Sequence, residues 1–181
     1  MRDERTDPRG YSTTVVIPVK DDAVELARCL AALQGQSVAP DDVIVVDNGS
    51  ADGSAAVACE FGARVIRCDQ PGIPAASAAG YDAASTDLIL RLDADCVPPQ
   101  LWVEQVVGAF RTRTEVDAFT GPARFIDGPP SCRRLLAAVY LGAYVFATYP
   151  ALGHRPLFGS NLAMRRSAWD AVCDSVHRDD P

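Results

Sequence analysis

The sequence predicts an α/β fold built on a mostly parallel sheet with helices on both faces. Three observations carry this reading. Short apolar, β-rich runs at residues 13–19, 43–46 and 87–90 read as buried strands. Leu26, Leu30 and Leu33 recur at helical spacing between the first two runs. Strand and helix signals then keep alternating to about residue 176, and parallel neighbours need such crossover connections.

Each element has its own signal. The first helix covers about 22–34, and Gly35 helps to end it. The second strand ends at Asp47-Asn48-Gly49-Ser50, a good turn because Gly49 accepts positive φ. Ser50 or Asp52 caps the next helix, which runs to Phe61 and stops at Gly62. A third strand at 64–66, a loop at 71–74 and a small-residue helix at 75–84 follow. After the strand at 87–90 comes a helix at 100–111, with Trp102, Val106, Ala109 and Phe110 on one face. Residues 118–121 and 123–125 read as a kinked strand, and 132–148 as an apolar helix that Pro150 breaks. Residues 150–160 read as a loop. A last helix at 167–176 groups Trp169, Val172 and Val176.

The chain has 181 residues, enough for one domain at 13–181 after a disordered tail at 1–12. A formal charge of −7 argues against nucleic acid as a partner. Six cysteines without CxxC spacing suit a reduced, cytoplasmic protein better than a disulfide scaffold. Residues 1–10 lack the apolar core of a signal peptide. His154 and His177 stand alone in loops and do not make a zinc site.

Residues 129–169 contain no acidic side chain, yet hold Arg133, Arg134, Arg155, Arg165 and Arg166. These are either arginines at solvated helix ends or a surface that meets phosphates or an anionic membrane. The apolar stretch 135–152 carries Tyr140, Tyr144 and Tyr149 and is slightly short for a membrane span. It reads as a helix packed on the sheet or over an acceptor site. The alternative is an interfacial helix giving peripheral membrane contact through 133–152, at the inner face of the membrane.

Chemistry concentrates at three strand ends: Pro18-Val19-Lys20-Asp21-Asp22, Asp47-Asn48-Gly49-Ser50 and Asp93-Ala94-Asp95. In a parallel sheet these clusters share one edge, where ligands of open α/β sheets bind. Asp93 and Asp95, two apart after an apolar strand, are placed by alternation on one face. Two such carboxylates can hold a hard divalent cation, which in turn can hold a diphosphate.

Val15-Val16-Ile17-Pro18-Val19, Ile44-Val45-Val46-Asp47-Asn48-Gly49-Ser50-Ala51-Asp52-Gly53 and Leu92-Asp93-Ala94-Asp95 together resemble the family 2 glycosyltransferases of the GT-A (Rossmann-like) fold. Phe119-Thr120-Gly121-Pro122-Ala123-Arg124-Phe125 fits a strand of that family. Phe158-Gly159-Ser160-Asn161-Leu162-Ala163-Met164-Arg165-Arg166 fits the segment lining its acceptor side. The resemblance covers about 13–176. It implies inverting transfer of a sugar from a nucleotide diphosphate sugar (UDP-sugar or GDP-sugar) to a hydroxyl acceptor, which is a saccharide, a lipid-linked acceptor or a small molecule. It also implies Mn2+ or Mg2+. It assigns nucleotide-sugar contacts to Pro18, Val19, Lys20, Asp47, Asn48, Asp93 and Ala94. It assigns the metal to Asp95 and Asp93, and the acceptor side to Gly159, Ser160 and Asn161.

Two departures from the family pattern matter. Ser77-Ala78 stands where the family often shows Arg-Asn, so donor-phosphate contacts do not carry over there. The family base lies in an acidic motif some twenty or more residues after the glycine at Gly159. Here Asp179-Asp180-Pro181 closes the chain. Either Asp179 and Asp180 supply the catalytic base, or they precede it and the chain is truncated. The alternative function is therefore a catalytically impaired or truncated nucleotide-sugar-binding domain. A sugar-nucleotide nucleotidyltransferase would resemble proteins with a glycine-rich loop after the first strand, and residues 18–22 contain no glycine.

Overall fold

The computed structural model describes residues 10–121, 133–152 and 157–179. The first half alternates strictly: β1 (Thr13–Val19), α1 (Ala23–Gln34), β2 (Asp42–Asp47), α2 (Ser54–Glu60), β3 (Arg64–Arg67), α3 (Ile73–Ala83), β4 (Leu88–Leu92) and α4 (Trp102–Thr112). It continues with β5 (Ala118–Thr120), α5 (Arg133–Leu152), β6 (Asn161–Arg165) and α6 (Arg166–Val172). The six strands form one sheet in the order β3-β2-β1-β4-β6-β5. Strands β3, β2, β1 and β4 run parallel, while β6 pairs antiparallel with both β4 and β5.

Strand alternation separates two cores. Val15, Ile17 and Val19 join Val45, Leu88, Leu90 and Leu92 against α1 and α4. Val16, Ile44, Val46 and Ile89 face the other way, toward α3 and Trp169 of α6. Both faces of β1 are therefore covered, which explains why its apolar run is continuous.

Helix α3 lies very close to the sheet. A Cβ at Gly80 would stand 2.3 Å from Val16 Cγ1 and 2.9 Å from Val46 Cγ2. Ala75, Ala76 and Ala78 are buried on the same helix. Small residues are thus the condition for this helix to seat against two β-branched strands.

Some expectations change. Residues 161–165 form a strand that no alternation in Asn-Leu-Ala-Met-Arg announces; its pairing with β4 and β5 decides its conformation. Helix α5 runs through Pro150 to Leu152, because a proline near a helix end removes one hydrogen bond without stopping the last turn at once. Helix α6 ends at Val172, which is exposed, so Trp169 and Val176 pack without it. The expected strand at 123–125 lies outside the described residues.

Arg165 and Arg166 are structural. The Arg165 guanidinium donates to the carbonyls of Val116 (2.9 Å) and Phe110 (3.3 Å) near the end of α4, and it stacks on Tyr11 and Phe110. Arg166 pairs with Asp170 at 2.8 Å. Arg165 is thus spent inside the fold, while the Arg166 side chain stays partly exposed. Gly80→Ala should lower stability by about 1–3 kcal/mol through overpacking, measured by urea denaturation, with little loss at the solvent-facing Gly108→Ala control.

Candidate active site

From β1 the chain crosses to β2, yet β4 lies on the opposite side of β1. Strand order therefore diverges at the C-terminal ends of β1 and β4, and an open crevice forms at such a point. The turn after β1 brings Lys20, Asp21 and Asp22 to it, and the turn after β4 brings Asp93 and Asp95. Burial and the negative charge of Asp95 push the Asp22 carboxyl up, so the two turns feel one another.

The turns after β1 and β2 are laced together. Asp21 N–H donates to Ser50 Oγ (3.1 Å), and Ala51 N–H donates to Asp21 Oδ1 (2.6 Å). Asp52 accepts from Ala23 N–H (3.0 Å) and Ser54 N–H (2.9 Å). The Ser54 hydroxyl, which donates to Asp52 Oδ1 at 2.5 Å, and these two amides hold its carboxyl below the usual range. Asp52 thus serves the N-terminal ends of both α1 and α2. Asp47 Oδ1 accepts from Ser50 N–H at 2.9 Å and tightens the turn that carries it.

Asn48 sits in the interior of this edge. Its Nδ2 donates to the carbonyls of Cys68 (3.0 Å) and Gln70 (2.7 Å), and its Oδ1 accepts from Gly72 N–H (2.9 Å). The side chain assigned to nucleotide-sugar contact thus positions the 68–72 loop. Val19 and Ala94 turn their side chains into the core. Of these two residues, only backbone is left at the edge, and the Val19 carbonyl already accepts from Asn48 N–H at 2.9 Å. Pro18 is half-buried, and Lys20 is exposed at the mouth.

The two acidic side chains after β4 part company. The strand ends at Leu92, and Cys96 N–H donates to the Asp93 carbonyl at 3.0 Å. Residues 93–96 therefore turn, and alternation no longer puts both carboxylates on one face. Asp93 pairs with Arg91 at 2.7 Å, while Asp95 is exposed beside Cys96. Arg91 escaped the sequence reading, since an arginine inside an apolar strand carries no motif. Burial pushes the Cys29 thiol up to about 12 and the Cys96 thiol up to about 11.

The segment 159–161 reaches the same place through β6. Asn161 pairs with Leu92 in register, and the Ser160 carbonyl accepts a weak bond from Cys96 Sγ at 3.5 Å. Asn161 Oδ1 accepts from Trp102 Nε1 at 3.0 Å, which ties this turn to α4. Residues 159–161 thus lie against the end of β4 and the turn that carries Asp93 and Asp95.

The structure does not bring the proposed base to them. Asp179 accepts from Gln70 Nε2 at 2.8 Å, in the loop beyond β3. Arg178 next to it pairs with Asp82 of α3 at 2.6 Å. Three strand spacings separate β3 from β4, about 14 Å. Asp180 lies outside the described residues.

Carboxylate oxygens from Asp95, with Asp93 and Asp22 nearby, suit Mg2+ or Mn2+ rather than a soft metal. Among the described residues no three His, Cys, Asp or Glu side chains converge into a cage. The donor set therefore fits an ion completed by water and ligand phosphates, the usual habit of Mg2+.

The sheet order and the acidic crevice are those of the GT-A fold. Residues 14–171 match the sequence model of the glycosyl transferase family 2, and the chain belongs to that family. Glycosyltransferase AglE of Haloferax volcanii is 34% identical over 120 residues, covering 62% of this chain and 39% of the relative. The pre-mycofactocin glycosyltransferase of Mycobacterium tuberculosis is 35% identical over 109 residues, covering 57% of this chain and 22% of the relative. The chain thus spans well under half the length of either. Glucosyl-3-phosphoglycerate synthase of M. tuberculosis, crystallised with Mn2+, UDP-glucose and phosphoglyceric acid, has the same fold. It superposes with a TM-score of 0.63 at 24% identity, covering 87% of this chain and 57% of that one.

Asn48→Ala should cost about 1–3 kcal/mol because it orphans one buried and two part-buried backbone groups. Hydrogen exchange should show faster exchange confined to the 68–72 loop and its neighbours.

Proposed function

We propose that the chain is the donor-binding core of a metal-dependent, inverting glycosyltransferase that moves a sugar from a nucleotide diphosphate sugar to a hydroxyl acceptor. The carrying observation is that the acidic turn 93–96 and the 157–160 turn meet at the end of β4, beside β1. Asp95, exposed and free of any cationic partner among the described residues, would hold Mn2+ or Mg2+, while Asp93 two residues earlier is paired with Arg91. Bound there, the ion would neutralise charge on the leaving diphosphate. Asp47 and the backbone of 18–20 offer acceptors to base and ribose. Lys20 is placed to meet anionic groups at the mouth. The acceptor hydroxyl, seated against 159–161, attacks the anomeric carbon from the face opposite the diphosphate. A carboxylate takes its proton. The UDP-glucose complex of the structural relative favours a UDP-sugar over a GDP-sugar.

The position of Asp179, held by Gln70 beyond β3, supports a second reading. This chain would bind donor yet transfer poorly, because the base does not come from Asp179. Saccharide, lipid-linked and small-molecule acceptors all suit a cytoplasmic enzyme of this kind.

We further propose peripheral membrane contact through 133–152. Among the described residues no helix is long and apolar enough to cross a membrane. Helix α5 nevertheless exposes Leu135, Val139, Tyr140, Phe146 and Tyr149, with Phe146 84% exposed. Such a face suits an interfacial helix near a lipid-linked acceptor.

Calorimetric titration should show UDP binding that requires Mn2+ and is lost in Asp95→Ala, with GDP binding at least about tenfold weaker, 1.4 kcal/mol. Metal-independent binding, or full affinity in the variant, would sink the donor-site reading. Donor hydrolysis or transfer by the same preparation separates the two catalytic readings. Flotation with anionic vesicles should recover the wild-type chain and lose Phe146→Glu; equal recovery of both would remove the membrane contact.

A further inference from the structure

We propose that Arg91 is a positioning residue. It draws Asp93 away from the cation and clamps the 157–160 turn to β4, leaving Asp95 as the carboxylate of the pair that meets the metal. The proposal rests on the donor-site reading above and names how that site is set.

Arg91 lies in the middle of the sheet, in register with Val16 of β1 on one side and Leu162 of β6 on the other. Its side chain is only 12% exposed. A guanidinium buried this far carries a large desolvation cost and persists only where something holds it. One of its nitrogens, Nη2, donates to Asp93 Oδ1 at 2.7 Å. Its Nε is buried with no partner, as is Ser77 Oγ on the facing helix. Tyr81, also on α3, has its hydroxyl beside both Ser77 and Arg91.

The acceptor-side turn covers the far side of the guanidinium. A Cβ at Gly159 would stand 1.8 Å from Arg91 Nη1 and 2.7 Å from Cζ. The backbone of the acceptor-side turn is thus laid directly on the cation, and only glycine permits it. One guanidinium touches a candidate metal carboxylate and the acceptor turn at once. Asp95 has no such restraint. The turn at 93–96 carries it out to the surface, toward Asp22.

The electrostatic consequence can be measured without turnover. While Arg91 neutralises Asp93, a cation at Asp95 gains little from the second carboxylate. Removing the guanidinium frees that charge for the cation.

The test is Mn2+ binding to the whole chain without nucleotide, followed by electron paramagnetic resonance of the free ion. Arg91→Met should bind Mn2+ about tenfold more tightly than wild type. Arg91→Lys, which keeps the charge, should stay near wild type. Asp93→Asn added to Arg91→Met should abolish the gain. Gly159→Ala, which displaces an intact guanidinium, should reproduce it. A merely structural arginine would move stability but not this affinity or its reversal by Asp93→Asn.

Unchanged or weaker Mn2+ affinity in folded Arg91→Met overturns the proposal. Should that variant fail to fold, unchanged affinity in Gly159→Ala does so. Asp95-dependent Mn2+–UDP binding by the wild type keeps the donor-site reading standing in either case. Its absence would overturn that reading and this proposal together.

Discussion

Strand β1 is bordered by β2 on one side and β4 on the other, both parallel to it. This placement forces the chain to part above its C-terminal end, and every group in the candidate site is measured from that parting. The turns after β1 and β2 fall on one flank, and the acidic turn after β4 falls on the other. The antiparallel return of β6 then fills the space beside β4 and delivers residues 159–161 to it. Because β1 is buried on both faces, its position is set by two cores at once. The crevice therefore inherits its shape from hydrophobic packing well below it.

Polar groups refine what packing places. Asp21, Ser50, Asp52 and Ser54 exchange bonds between two turns and the starts of two helices. These side chains look available to a ligand in the sequence, but in the fold they hold the rim. Asn48 does the same for the loop after β3. Among the described residues, what remains unspent at the edge includes Lys20, Asp22, Asp95 and the backbone of the turns. A site left with so few free groups can take much of its chemistry from an ion and from the ligand's own phosphates.

The parallel half of the fold was legible because local signals agreed with the global answer. Leu26, Leu30 and Leu33 all reach the core, and the apolar runs at β1, β2 and β4 are interior strands. Residues 161–165 were not legible as a strand, since their partners lie some seventy residues earlier on β4. The site was legible as a set of strand ends but not as a set of roles. Asp93 and Asp95 share a spacing, yet a turn and one arginine give them different partners. Val19 and Ala94 belong to the motif in sequence and to the core in space. No pattern in a single chain announces that Arg91 reaches toward Gly159, because the contact joins two segments through a missing side chain.

The seating of α3 has a mechanical meaning. With Gly80 notched over Val16 and Val46, this helix has no slack to slide or tilt against the sheet without collision. Interfaces packed this closely move as one body. Helix α3 and the central strands therefore form a rigid anvil beneath the crevice. A ligand at the crevice therefore meets a floor that keeps its shape, and any adjustment to it falls to the turns above.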